Sequence, residues 1–239
     1  MSKLAKEIPI EKIVSRQVSL GQQSRSRMAS KKKSIDYPSI SISRETGSGE
    51  SEVVAELNRI LGWSIYDKNI VEKIANNAEL NEKLIDAFDE KTRNEFQYWI
   101  KAVFQNSLIQ SDQYIRHLSE VILSLAKCGR AVIIGRGANF ILPKGQTLDV
   151  RLIAPIQHRA YYMADKLNID YEKAKKIVIY SDNERQAFLH KFFNSSEFDP
   201  LNYDLVINTG NVNYTTAAKI IIAALSAKFE MPLDELKAV

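Results

Sequence analysis

Residues 39–43 alternate small polar and β-branched side chains, Ser-Ile-Ser-Ile-Ser, the period of a strand with one apolar face. Four further stretches read as strands: Gly62–Tyr66, Arg130–Gly135, Leu148–Ala154 and Tyr203–Asn208. The run Arg130–Gly135 is nearly continuous in apolar residues, as expected of a parallel strand buried on both faces. Between the strands the apolar positions recur at helical spacing. Val53, Val54, Leu57, Ile60 and Leu61 follow the first strand, and Ile70, Val71 and Ile74 follow Asp67, a helix-capping residue. Leu80, Leu84, Ile85 and Phe88 form another helical piece. Arg93 to Lys127 is predicted as one long helix ending at Gly129. Further helices are predicted over Gln157–Leu167, Tyr171–Tyr180, Asp182–Phe193 and Tyr214–Phe229. Strands separated by helices throughout predict βαβ units, hence an α/β domain with a central parallel sheet flanked by helices in three layers.

The first 36 residues break this pattern. Ile8 to Leu20 has the spacing of a transient amphipathic helix, and Gly21 to Ser34 reads as a flexible linker. The chain carries 33 Lys/Arg and 29 Asp/Glu, and residues 1–36 hold nine and three of these. The remaining 203 residues therefore hold 24 and 26 and are close to neutral. We expect a disordered basic leader over 1–36 and a folded domain over 37–239, with no basic face for nucleic acid. A single cysteine, Cys128, cannot form an internal disulfide and suits a reducing, cytoplasmic setting. No apolar run approaches membrane-spanning length. Three scattered histidines and one cysteine make no zinc pattern, and no Ser/His/Asp order stands out. Nothing in the sequence sets an oligomeric state.

Candidate chemistry starts at Gly47-Ser48-Gly49, between the first strand and its helix. Strand, glycine turn, helix is the setting of a phosphate-binding loop, where glycine lets backbone N–H groups surround an anion at a helix N-terminus. Against the pattern G-x-x-x-x-G-K-[ST], Arg44 replaces the first glycine and Glu50 the lysine, while Gly49 and Ser51 fit. A second reading fits the same stretch, namely a turn capped by Ser48, with Glu50 and Glu52 complementing the helix dipole. In an open parallel sheet ligands sit beyond the C-terminal strand ends. There the chain places Arg44, Asp67 and Lys68, then Gly135-Arg136-Gly137-Ala138-Asn139, then Asn208-Thr209-Gly210. Ser181 and Glu184 have the spacing of a capping box opening the helix that carries Arg185 and Lys191.

Six segments in order, Ile42–Ser51 (ISRETGSGES), Leu61–Ala75 (LGWSIYDKNIVEKIA), Ile133–Leu142 (IIGRGANFIL), Val150–Pro155 (VRLIAP), Asp182–Phe193 (DNERQAFLHKFF) and Tyr203–Gly210 (YDLVINTG), resemble the cytidylate kinase-like family. That family looks like a divergent branch of the nucleoside monophosphate kinases, and the resemblance runs from about Ile40 to Ile222. It implies a three-layer P-loop kinase fold with helical NMP-binding and lid regions. It also implies ATP and magnesium as ligands and phosphoryl transfer to a nucleotide or other small phosphate acceptor. On this likeness Thr46, Gly47, Ser48, Gly49, Glu50 and Ser51 would hold the donor phosphates, with Ser51 on magnesium. Asp67, Arg136, Gly137 and Asn139 would hold the acceptor. Arg44 would replace the missing lysine, and Arg185 and Lys191 would close from the lid. Members of the branch resemble this chain in lacking the loop lysine, although a neutral residue is more usual where Glu50 stands. Relative to true cytidylate kinases, Lys68-Asn69 replace Ser-Gly after Asp67, and Gly137 replaces the Asp after Gly-Arg. A nucleotide-binding module without turnover is the alternative these departures leave open.

Overall fold

The structure, a computed structural model, describes residues 9–29, 38–104, 112–195 and 198–238. In chain order the elements are α1 (Ile10–Ala29), β1 (Ser39–Arg44), α2 (Glu50–Leu61), β2 (Ser64–Tyr66), α3 (Lys68–Asn76) and α4 (Ala78–Ile85). They continue with α5 (Glu90–Val103), α6 (Gln113–Lys127), β3 (Ala131–Ile134), α7 (Ala138–Ile141), β4 (Thr147–Ile153) and α8 (Ile156–Leu167). The chain closes with α9 (Tyr171–Phe193), β5 (Leu205–Asn208), α10 (Tyr214–Phe229) and α11 (Leu233–Leu236).

The five strands form one parallel sheet in the order β2-β3-β1-β4-β5. Alternation along β3 builds both faces. Ala131 and Ile133 join a core with α3, α4, α5 and α6, while Val132 and Ile134 join one with α2, α10 and α11. Strand β1 instead sends Ile40 and Ile42 to the second core and buries Ser39 and Ser41 on its other face. Ser41 donates to the fully buried Asp149 of β4, which also accepts from Lys144 at 2.7 Å, so the polar face is matched rather than orphaned. Helix starts follow local chemistry: Asp67 Oδ1 accepts from Ile70 N–H at 2.8 Å, and Asn77, Asp89, Asp112, Asp170 and Asn213 cap their helices likewise. No helix among the described residues is long and apolar enough to cross a membrane.

Three predicted elements differ. The stretch 93–127 is two helices, α5 and α6, and residues 105–111 between them lie outside the described residues. The stretch 171–193 is one 23-residue helix, so Ser181 and Glu184 are interior positions and make no capping box. The third difference is in the leader, where residues 10–29 form one helix and the sequence predicts a transient helix over Ile8–Leu20 followed by a flexible linker. Val14 and Gln17 of α1 are fully buried. Gln17 Nε2 donates to the carbonyls of Leu125 (3.2 Å) and Gly129 (2.8 Å) at the end of α6, and Gly21 lies against Cys128. A helix end leaves its last carbonyls without partners inside the helix, and one glutamine supplies them here. A single buried polar contact of this kind has no periodicity to betray it.

Removing Gln17's side chain leaves buried carbonyls short of a donor, which costs about 1–3 kcal/mol. Gln17→Ala is therefore expected to lower the thermal midpoint by several degrees, and deletion of residues 1–36 by more. Melting curves of the two variants against the full chain check this; an unchanged midpoint on deletion would return α1 to the status of a dispensable leader.

Candidate functional site

The C-terminal ends of β1 and β3 meet α9 around a cleft of about 420 Å³. Ser43 and Arg44 line it from β1, Lys68 from α3, Gly135, Arg136 and Gly137 from the turn after β3, and Tyr180, Arg185 and Phe188 from α9. The β3 turn has an unusual backbone. Gly135, Arg136 and Gly137 all have positive φ, 73°, 55° and 68°. Glycine permits this freely, but arginine in the left-handed region is strained. Gly135 also has no room for a side chain, because the Arg44 guanidinium lies against it. Arg136 is held from two sides: its Nη1 lies 3.3 Å from Glu72 Oε1, and its guanidinium sits over the Phe188 ring, 4.6 Å from the centroid. Phe193 packs on Gly137, so α9 closes on this turn through aromatic contact.

The glycine loop is organised by a buried ion network. Asp182 of α9 accepts from the Thr46 N–H at 2.9 Å, from Arg185 Nη2 at 2.6 Å and from Arg159 Nη1 at 2.6 Å. Arg159, on α8, also donates to the carbonyls of Ala154 (2.8 Å) and Thr46 (3.2 Å) and lies 3.3 Å from Glu45 Oε2. Arg185 donates to Thr46 Oγ1 as well. Burial pushes the Asp182 carboxyl up, but the Thr46 N–H and the two guanidiniums more than offset this and hold it below the usual carboxylate range. Gly47 (φ 83°) and Gly49 (φ 75°) let α8 and the Tyr214 ring approach the loop closely. The turn is not capped by Ser48, whose hydroxyl donates back to the Glu45 carbonyl at 2.8 Å. Helix α2 begins at Gly49 with no side-chain cap, unlike the Asp- and Asn-capped helices.

A second cluster stands at the start of α2. Lys166 of α8 donates to Ser51 Oγ (2.7 Å) and to Tyr162 OH (2.9 Å), and Tyr162 donates to Glu52 at 2.7 Å. Burial pulls the Lys166 ammonium down, yet Tyr162, Glu52 and Glu50 outweigh it and hold it above the ordinary lysine value.

Of the expected site residues, the fold gathers Arg44, Arg136, Gly137 and Arg185 in the cleft and Thr46 in the adjoining network. Ser48 and Gly49 are buried in the loop. Asp67 caps α3, and its neighbour Lys68 reaches the cleft instead. Asn139 is buried and accepts from Ser43 Oγ at 3.4 Å, outside the cleft lining. Lys191 is exposed over the Phe192 ring, away from Arg185, because six helical positions turn it to another side. Arg159, Asp182 and Lys166 were not singled out from sequence. Two guanidiniums and a backbone N–H converging on one carboxylate are a donor set that fits phosphate oxygens. The Ser51 hydroxyl, the expected magnesium ligand, accepts from the Lys166 ammonium at 2.7 Å and keeps a second lone pair, which suits a cation held mainly by ligand phosphates and water.

A carboxyl held low in the folded state adds stability that is complete above its unfolded value, about 3.9, and is lost as pH falls through the folded value. The groups facing Asp182 are Arg159, Arg185 and the Thr46 amide, with Glu45 behind Arg159. The midpoint difference between wild type and Asp182→Asn should thus be constant above about pH 5 and close below about pH 4. A difference that persists at pH 2 would place the stabilising contact elsewhere.

Among solved structures, an uncharacterized protein from Eubacterium ventriosum superposes with TM-score 0.56 at 19% identity, over 80% of this chain and 99% of that one. A shikimate kinase from Acinetobacter baumannii in complex with shikimate gives TM-score 0.42 at 14% identity, over 80% and 95%. A curated uronate isomerase from Corynebacterium glutamicum is 25% identical over 127 residues, 53% of this chain. The chain spans about a quarter of that relative's length, 24%. The five-stranded parallel sheet flanked by helices is a P-loop kinase fold. A family model for the cytidylate kinase-like family matches residues 39–211, from β1 through the turn after β5, and the chain belongs to that family.

Proposed function

We propose that the protein is an ATP-dependent phosphotransferase of nucleoside monophosphate kinase type, acting on a nucleotide or another small phosphate acceptor. The observation that carries this reading is the convergence of Arg44, Lys68, Arg136 and Arg185, from four separate elements, on one cleft at the C-terminal strand ends. Phosphoryl transfer needs positioning and charge neutralisation more than covalent chemistry from the protein, and arginine forks suit phosphate oxygens. In this reading Arg136 grips the acceptor phosphate, braced by Glu72 and Phe188. Arg44 lies across Gly135 between acceptor and loop, and Arg185 comes from the lid. Bound ATP with magnesium supplies the transferable phosphoryl group. Loop amides, Arg159 and Arg185 would hold its phosphates, and the Ser51 hydroxyl would face the magnesium.

A second reading, a nucleotide-binding module without turnover, is favoured by Glu50 in the lysine position and Gly137 in place of an acidic residue. An ATP-consumption screen against nucleoside monophosphates at high protein concentration separates the two. Acceptor-dependent turnover supports the kinase. Nucleotide binding with no turnover against any acceptor supports the module.

Two substitutions follow. Arg136→Ala should weaken acceptor binding by about tenfold or more, since a charge-assisted phosphate contact is worth roughly 1.5–3 kcal/mol. Its pair with Glu72 is mostly buried, the side chains being 15% and 26% exposed, so losing it should cost about 1–3 kcal/mol of stability. Titration and melting of the same preparation check both; unchanged binding with a collapsed fold would make Arg136 a structural ion-pair residue. Glu50→Gln should tighten ATP binding by about two- to tenfold, because two unit charges about 4 Å apart repel by roughly 1 kcal/mol in water and more near protein. Isothermal titration at two salt concentrations reads this, and weaker binding would assign Glu50 to positioning Lys166 instead.

A further inference from the structure

A carboxylate is an odd group for a lid that closes over phosphate. Asp182 nevertheless sits at the centre of the densest donor set near the cleft. One oxygen accepts from the Thr46 N–H and from Arg185, and the other accepts from Arg159. The three donors come from three elements: the loop after β1, α9 and α8. Arg185 also lines the cleft, so it belongs to both places. No apolar packing requires Asp182 there, and its side chain remains about one-fifth accessible, 18%. A small oxyanion bound by two guanidiniums and a loop amide is the arrangement expected for a ligand's phosphate, not for a helix-interior aspartate.

We propose that Asp182 is an internal stand-in for a ligand phosphate: its carboxylate fills the anion site of Thr46, Arg159 and Arg185, ties α9 to the loop, and is displaced when a polyphosphate binds. This rests on the reading that loop and lid together bind phosphate. The consequence is quantitative. A tethered carboxylate competes at high effective concentration, and a ligand's apparent affinity falls by the fraction of molecules in which the site is open. The same tie couples lid to ligand. With Asp182 in place α9 is held against the loop; once a polyphosphate takes its donors, the helix is held by the ligand instead.

The competing account is that Asp182 only orients Arg159 and Arg185 for the ligand. The two accounts differ in sign. Asn keeps the shape and an acceptor for the Thr46 amide but removes the charge that holds the guanidiniums. If Asp182 is a competitor, D182N binds polyphosphate more tightly; if it is an orienting group, D182N binds more weakly.

The test uses the full chain with tripolyphosphate as the probe, titrated calorimetrically into wild type and D182N, with melting curves confirming that each is folded. Tightening of about tenfold is expected, a difference of about 1.4 kcal/mol. D182S, which keeps an oxygen for the Thr46 amide, should shift binding the same way and serves if D182N fails to fold. Unchanged or weaker binding by the folded variants, with wild type binding normally, overturns the assignment of Asp182 while leaving the phosphate site intact. Absence of tripolyphosphate binding by wild type and variants alike overturns both the assignment and the reading beneath it.

Discussion

Arg159 sits almost wholly inside the protein, and a guanidinium taken out of water costs several kcal/mol unless its donors find partners. Its partners come from three parts of the site: the Ala154 carbonyl at the end of β4, Glu45 and the Thr46 carbonyl in the loop after β1, and Asp182 of α9. Matching this one charge therefore fixes the loop after β1, the β4–α8 turn and the middle of α9 with respect to each other. The other site features depend on it. Arg185 is aimed by the same carboxylate, and the cleft wall formed by Tyr180, Arg185 and Phe188 stands where α9 is tied. With Glu45 and two carbonyls beside it, the Arg159 charge stays partly matched even when Asp182 is drawn away.

What the sequence revealed follows from which forces are periodic. The five strands and most helices announce themselves through apolar spacing, the start of α3 also through its Asp67 cap, and the parallel α/β class follows from their alternation. Arg44 and Arg136 are legible because a cation at a strand end calls for explanation, whereas spacing alone makes Arg185 part of a solvated helix face and only the family resemblance singles it out. Asp182 was not legible. It follows Ser181 and precedes Glu184, and local chemistry offered a helix start there. Tertiary partners overrode it. Three residues of modest helix propensity, Ser181, Asp182 and Asn183, continue a helix because the Asp182 side chain is bound by groups more than twenty residues distant in sequence. The α1 helix was legible in part: Ile10, Ile13, Val14 and Val18 have helical spacing and pack on the α3–α6 core, but the contact of Gln17 with the end of α6 leaves no periodic trace.

The loop glycines illustrate how one motif can serve two purposes. A phosphate loop needs glycine so that backbone can approach an anion. Here Gly47 meets the Arg159 carbonyl and Gly49 the Tyr214 ring, so their missing side chains admit protein atoms. The backbone conformation, left-handed at both, is set by the turn in either case. The motif is thus weaker evidence for a ligand than its spelling suggests, and the donor convergence on Asp182 is stronger evidence, because nothing in turn geometry demands two arginines.

Charge at the start of α2 settles how the departures from a lysine-bearing loop should be weighed. A helix N-terminus favours negative charge within its first turn, and Glu50 and Glu52 are both there. Left alone, two carboxylates would make this end hostile to phosphate. Lys166 alters that balance: its ammonium reaches Ser51 from α8 and is held charged by Tyr162, Glu52 and Glu50. An ammonium therefore does stand at the loop, supplied by another helix and flanked by the acids that retain it. The absence of a lysine from the loop and the presence of Glu50 are on this view linked features. The Glu50 carboxylate would repel a phosphate at the loop, yet it also helps to keep the Lys166 ammonium charged beside it. Reading the position alone counts only the first effect, whereas the arrangement of side chains around Ser51 requires both.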